Sequence, residues 1–571
     1  MDTITSTPTP RPTTPAGLAP QAPRPANPRE VIEAALGALV ADPEALLDPS
    51  VCDALRAVRA AGPAEYERIL ARAKELNDKA QLPELEEESG GADDAHDLLA
   101  GIATERCRLC HDADRRGVAI IEAEDHREVW FVRSAGFADW LRAEYFNSAG
   151  KAASPSKLKS AIATIEAMGL YRGEQVEVHL RCAKEGESYF VDLCDGRWRA
   201  VRIDRSGYEV LERSAVLFTR NGQMRALPLP EPSENLERLW KYANVSPAQR
   251  PLVVAWLLDS MRPDTAFPVL EISGEQGSAK STTQRTLREL IDPNKAALRG
   301  APKTTEDIYV AAASSWVVSY ENLSGIADEK QDVLCTLSTG GGFGTRRFFT
   351  NGEENVLHTK RPVMLNGISS VATRPDLVDR LVHVDAPSIP ERDRRADADL
   401  AMDWKRDYAL VFGALLDRFA KALRALEAVE LKRHQRMADY ERLGEAMMRS
   451  QGRAAGEFSA LYARAVDEGA ERSLENYGVA QALLSLMNTP AVKRKGKWSG
   501  SVGTLYLKLG TLKQTDGSNW PRSARGLSDQ LKRLTLALRK QGLDIVFGRK
   551  TNAGRQVTIT DKRIGSPSRR R

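Results

Sequence analysis

Phe267-Pro-Val-Leu-Glu-Ile-Ser273 runs into Gly274-Glu-Gln-Gly-Ser-Ala-Lys280-Ser281, and Thr282 to Ile291 continues with helical character. The first segment is a short apolar strand, the second a glycine-bearing turn ending in Lys-Ser. Strand, turn, Lys-Ser and helix stand in the order a phosphate-binding loop requires. A triphosphate needs a concave nest of backbone N–H groups at a helix N-terminus, with glycine where the chain turns sharply or closely approaches oxygen. Gly274 and Gly277 suit that need, and Glu275, Gln276, Ser278 and Ala279 complete the turn. Lys280 is expected to neutralise the β- and γ-phosphates of ATP, and Ser281 to join the Mg²⁺ shell, with Thr282 in support. The motif expects glycine where Ala279 stands, and a helical φ/ψ there would tolerate alanine.

Such a site also needs an acid at the end of a neighbouring strand. Trp316-Val-Val-Ser-Tyr-Glu321-Asn322 offers Glu321 for Mg²⁺ and the attacking water, with Asn322 where a second acid often stands. Arg361-Pro-Val-Met-Leu-Asn366-Gly367 ends in an amide suited to sensing the γ-phosphate. Arg374-Pro-Asp-Leu-Val-Asp-Arg380 supplies two guanidinium groups, of which Arg380 is the preferred arginine finger; the alternative is that it pairs with Asp376 or Asp379 nearby. The expected catalytic set is therefore Lys280, Glu321, Asn366 and Arg380, on an α/β core of parallel strands.

This set resembles superfamily 3 helicases of the AAA+ class, over about Phe267 to Val384. Gly274 to Thr282, Glu321-Asn-Leu-Ser324, Leu337 to Arg346 and Arg361 to Gly367 look like ATP-binding replication proteins of bacteria, phages and mobile elements, of helicase-primase type. Members usually carry Asp-Asn where this chain has Glu321-Asn322, and the similarity extends from about residue 98 to the C-terminus. The resemblance implies a homo-oligomeric ring, with a hexamer as one candidate, in which a neighbour's arginine completes each site. It also implies a hairpin in the ring channel between the second and third strands. There Gly340-Gly-Gly-Phe343-Gly-Thr-Arg346-Arg347-Phe348 offers Phe343 or Phe348 to stack on a base and Arg346 and Arg347, with Lys360, for phosphates of single-stranded DNA, the alternative being a glycine-rich β-turn with partly buried aromatics.

The 571 residues predict several domains. Residues 1–28 form a Pro/Thr-rich disordered tail, 29–80 a small helical module, 81–97 an acidic linker and 98–230 an α+β accessory domain. The ATPase core with its leading helices spans 234–390, a helical region 396–490, and a basic winged-helix-like unit with its tail 497–571. In that last unit Leu527, Leu531, Leu534 and Leu538 share one helix face, with two strands after it, and Arg522, Arg525, Lys532 and Arg533 are candidates for duplex DNA. A net charge of +4 hides this asymmetry between an acidic linker and a basic end.

A hydrophobic fraction of 42% and a charged fraction of 28% exclude wholesale disorder. Apolar runs far below about 20 residues predict no membrane span, and the N-terminus lacks signal-peptide character, so a cytoplasmic protein is expected. Six irregularly spaced cysteines fit reduced thiols. Cys107, Cys110 and His111 spell the haem-attachment pattern, and Cys182 and Cys194 complete four thiols, but the wide second spacing argues against a zinc knuckle. Asp112 and Asp114 lack the surroundings of a primase metal site. Two functions stay open: an ATP-driven DNA helicase or translocase for replication of a phage or mobile element, and an ATP-binding DNA switch with little hydrolysis, suggested by Ala279 and Asn322. Phosphotransfer to a small molecule is disfavoured, because it would leave the basic end idle.

Overall fold

The computed structural model describes residues 27–77, 80, 92–346, 354–431, 434–475, 477–513, 520–551 and 554–563. The chain divides into two compact units, Met1–Leu98 and Leu99–Arg571. In the first, helices Pro28–Ala38, Pro49–Ala61 and Pro63–Leu76 each begin with proline, whose missing N–H is an orphan donor at that position anyway. Asn27 and Asp48 cap two of them, and Ile32, Leu36, Leu39, Leu46 and Leu55 form their core. The expected tail lies outside the described residues up to 26, as does the linker from 81 to 91. Residues 92–97, expected as linker, open the helix Ala92–Arg106 instead. Leu99, Ile102 and Ala103 are buried and draw the helix out.

The second unit begins with a three-stranded antiparallel sheet, Cys107–His111, Gly117–Glu122 and Arg127–Phe131, backed by helices Ala135–Ala149 and Pro155–Arg172. A four-stranded antiparallel sheet comes next, over Cys182–Leu211. The expectation of a separate accessory domain does not hold for this second sheet, which shares a core with the helices of the central domain. Tyr189, Val191, Val201 and Ile203 pack in one cluster with Leu252–Leu258 and Val411–Phe419. A fully buried guanidinium fastens the same junction. Arg181 Nε lies 3.2 Å from Asp292 Oδ1, and its terminal nitrogens donate to the carbonyls of Asp192 and Arg225 at 2.9 Å each. The other oxygen of Asp292 accepts the N–H groups of Trp316 and Val317 at 2.9 and 3.1 Å.

The central sheet has four parallel strands: β1 (Val269–Ser273), β2 (Val318–Leu323), β3 (Val363–Gly367) and β4 (Leu381–Asp385), in the order β2-β3-β1-β4. β1, β3 and the first half of β2 are continuously buried, as strands covered on both faces must be. The register sets Ser273 opposite Gly367 and Leu323 opposite Gly367, so the exits of β1, β2 and β3 lie at one level. In open α/β sheets ligands bind outside such carboxyl ends.

Helices Asp397–Leu426, Ala438–Arg449 and Glu457–Glu475 come after the sheet. The C-terminal part holds helices Val502–Gly510 and Ala524–Lys540 and an antiparallel sheet ordered Lys497–Ser501, Gly554–Asp561, Leu543–Thr551. Its core includes Leu527, Leu531, Leu534 and Leu538 and also Val479, Leu483, Leu486 and Met487. The helix Gly478–Asn488, expected to belong with 396–490, thus packs into the C-terminal core, because its apolar side chains find their cover there. Among the described residues no helix is long and apolar enough to cross a membrane.

Candidate nucleotide site

β1 exits directly into the glycine turn. A Cβ on Gly274 would lie 2.4 Å from the Ala386 carbonyl oxygen and 2.7 Å from Ser278 Oγ, so only glycine fits at the turn's start. Gly277 has φ +81°. Ala279 has φ +56° and ψ +31°, a left-handed conformation, and this corrects the expectation of right-handed helical angles there. Alanine in this conformation bears a Cβ–carbonyl clash that glycine would avoid. Glu275, Gln276 and Gly277 are exposed, Ser278 is buried, and Ala279, Lys280, Ser281 and Thr282 are half-buried. The helix begins at Lys280, whose Nζ donates to the Gly274 and Glu275 carbonyls at 2.8 and 2.7 Å. The ammonium therefore lies against the turn itself, and burial lowers its pKa.

Glu321 and Asn322 sit inside β2 at a register shift between Tyr320 and Leu323, with Asn322 left-handed at φ +52°. Asparagine is among the few residues that tolerate that region. Asn366 is buried and both ends of its amide are engaged: Oδ1 accepts the Asn322 N–H at 2.7 Å, and Nδ2 donates to Gln284 Oε1 at 2.5 Å. Gln284 in turn donates to Ser319 Oγ at 2.7 Å and to the Tyr320 carbonyl at 3.0 Å. Asn366 thus ties the Glu321 corner to the helix that carries Lys280. Sequence reasoning missed Gln284, although its spacing of four from Lys280 sets it one turn further along that helix. Glu321 is half-buried and forms no ion pair among the described residues.

A second buried cluster lies behind the turn. Glu271 on β1 accepts from Ser370 Oγ at 2.8 Å and the Val371 N–H at 2.8 Å, and lies 2.8 Å from His383 Nδ1 on β4. Burial opposes its charge, yet these donors hold the carboxyl below its ordinary range. Burial likewise opposes the charged form of His383, but Asp385 and Glu271 raise its pKa overall. His383 Nε2 is 3.0 Å from Ser273 Oγ, adjacent to Gly274, and also meets Arg472, which pairs with Asp385 at 2.8 and 3.0 Å. The helix Glu457–Glu475 is thereby linked to the root of the turn.

Arg380 is buried and held within its own chain: NH1 lies 2.6 Å from both the Asp376 carbonyl oxygen and Asp376 Oδ2. This is the local pairing weighed as the alternative to a finger. Arg374 pairs with Asp332 at 2.8 Å. Gly341–Arg346 and Glu354–Thr359 form an antiparallel hairpin with Phe343 opposite Leu357 and Arg346 opposite Glu354. Arg347 lies outside the described residues. Arg522, Arg525, Lys532 and Arg533 are exposed. Lys532 pairs with Asp529 at 3.0 Å, and Arg533 lines a cleft with Asp328, Arg374 and Tyr477. Cys107, Cys110, Cys182 and Cys194 are free thiols, and no metal-holding group of three or more His, Cys, Asp or Glu occurs among the described residues.

Residues 234–468 match the family described as actinomycete integrative conjugative element replication protein, and residues 479–568 match the C-terminal domain of that replication protein. No curated protein matches the chain. Among solved structures, the apo A form of the NrS-1 C-terminal region is 11% identical with a TM-score of 0.35, over 82% of this chain and 98% of that one. A JCV helicase bound to a thiazolopyridine acetamide is 14% identical with a TM-score of 0.20, over 41% of this chain and 70% of that one.

Proposed function

We propose that this chain, a replication protein of the integrative-conjugative-element kind over residues 234–468 and 479–568, is a P-loop ATPase that moves on DNA as a helicase or translocase of the superfamily 3 type. The observation that carries the reading is the shared level of three strand exits: the Lys280 turn leaves β1 level with the ends of β2 and β3, the strands that carry Glu321 and Asn366 close to those ends. A triphosphate fits this edge. Gly274 leaves room where a Cβ would collide, left-handed angles at Gly277 and Ala279 form the nest, and phosphate oxygens would replace the carbonyls that Lys280 now contacts.

In this reading Lys280 holds the β- and γ-phosphates, and Glu321 orients the attacking water. Asn366 keeps Glu321 in register with the Lys280 helix. The Ser281 hydroxyl and Glu321 carboxylate are oxygen donors of the kind Mg²⁺ prefers, and the ion would neutralise charge on the phosphates. Arg380 serves a neighbouring subunit in a ring by exchanging Asp376 for that subunit's nucleotide. Phe343, Arg346 and Arg347 are the residues assigned to contact single-stranded DNA, and Arg522, Arg525, Lys532 and Arg533 those assigned to duplex.

Two observations favour a second reading, an ATP-binding switch with little turnover: the alanine at a left-handed position of the turn and the in-chain partner of Arg380. Steady-state ATPase assays with and without single-stranded DNA separate the two. Turnover stimulated by DNA and absent from Lys280→Ala supports the motor. Tight ATP binding with negligible turnover under both conditions supports the switch.

A further inference from the structure

We infer that Arg394 supplies a second cation, from the same chain as Lys280, to the triphosphate at the apex of the turn; the inference rests on the nucleotide reading of that turn. The segment after β4 runs beside the turn and is tied to it at several points. The Ala386 N–H donates to the Ser273 carbonyl at 2.8 Å, and the Ala386 oxygen is the atom that a Gly274 Cβ would strike. Asn244 spans both pieces, its Nδ2 donating to the Ser278 carbonyl at 2.9 Å and to the Pro387 carbonyl at 2.7 Å, while its N–H donates to Thr283 Oγ1 at 2.8 Å. A further turn around Glu391–Asp393 brings the chain back, and a Cβ on Gly277 would lie 3.6 Å from Arg394 NH2.

Charge pairing singles out this arginine. Its neighbours are engaged, Arg392 with Asp393 and Arg395 with Asp403. Arg374 and Arg380 are held by Asp332 and Asp376. Arg394 is exposed and donates from Nε to the Ile389 carbonyl at 3.4 Å, which leaves the NH1 and NH2 edge without a carboxylate among the described residues. A planar guanidinium with that edge open, beside the most exposed glycine of a phosphate nest, has the geometry for two parallel bonds to phosphate oxygens. Lys280 reaches the turn at the Gly274 and Glu275 carbonyls, whereas Arg394 reaches it at Gly277. The two cations would bracket the terminal phosphates. Arg394 would thereby favour ATP over ADP, because ADP offers fewer oxygens at the apex.

The test measures binding of a non-hydrolysable ATP analogue and of ADP by calorimetry, in the full chain, for wild type, Arg394→Ala, Arg394→Lys and Lys280→Ala. Arg394→Ala is expected to bind the ATP analogue about tenfold or more weakly, the scale of one lost charge-assisted bond, and to lose less affinity for ADP. Arg394→Lys is expected to recover part of the loss. Unfolding temperature should not change, since the side chain is exposed. Arg394→Ala binding the ATP analogue within about twofold of wild type, while Lys280→Ala fails to bind, overturns the inference and leaves the nucleotide reading standing. An equal loss for ATP analogue and ADP overturns the assignment to the apex. Absence of binding by wild type itself overturns both readings.

Discussion

Replacing Ala279 by glycine should improve nucleotide binding, an unusual direction for a change in a binding turn. Ala279 holds φ +56° and ψ +31°, and a non-glycine residue in that region bears about 1–2 kcal/mol of strain. Glycine removes the clash but brings more freedom to lose, at a cost of about 0.5–1 kcal/mol. The net gain is up to about 1.5 kcal/mol, equivalent to up to about tenfold in affinity if the turn must be held for binding. Valine is the opposing probe: its branched Cβ at a positive φ should weaken binding by about 1–3 kcal/mol. Fluorescent ATP-analogue titration of Ala279→Gly, Ala279→Val and wild type, with amide hydrogen exchange over residues 274–283, measures both effects. If glycine leaves affinity unchanged and valine binds as wild type does, the left-handed turn is not the binding conformation, and the argument from strain fails.

Glu321→Gln should keep ATP bound while turnover falls to background, because the amide fills the same space without the charge that organises water; turnover at the wild-type rate would move the catalytic acid elsewhere. Arg380→Ala should bind ATP nearly normally yet lose about 10³-fold in turnover. Mixing it with Lys280→Ala should restore part of the activity, and a mixture that co-assembles but stays inactive at every ratio refutes a finger acting between subunits. Neutralising Arg522, Arg525 and Lys532 together should flatten the salt dependence of duplex binding by up to about three phosphate contacts; an unchanged slope would leave that face without a DNA role.

The strand, turn and helix around Lys280 were legible because their signal is local: Gly274, Gly277, Lys280 and Ser281 stand within eight positions, after an apolar run and before a helical stretch. The handedness at Ala279 was not legible, since a residue's name does not state the angle that a tight turn imposes on it. Gln284 escaped for another reason. A glutamine on a helix is ordinarily solvated, and only the arrival of Ser319, Tyr320 and Asn366 from two other strands makes it a buried junction. The same holds for domain limits. Composition separates 396–490 from 497–571, but burial assigns Val479 to Met487 to the C-terminal core. Likewise the acids at 93 and 94 suggest a linker, whereas the apolar residues that make the segment helical lie further along at Leu99 and Ile102.

Arg181 and Asp292 stand 111 positions apart, on opposite sides of the stretch near residue 232 where a genetic engineer would naturally cut the gene. A chimera joined there, with the sheet of one such chain and the preceding region of another, keeps the guanidinium paired only if the donor of the second half also brings the acid. Otherwise a fully buried charge is stranded, a defect of about 3–5 kcal/mol, large against the stability of most domains. The natural unit of exchange therefore starts upstream of Arg181, and recombination between such genes should leave the interval from 181 to 292 intact more often than its length alone would dictate.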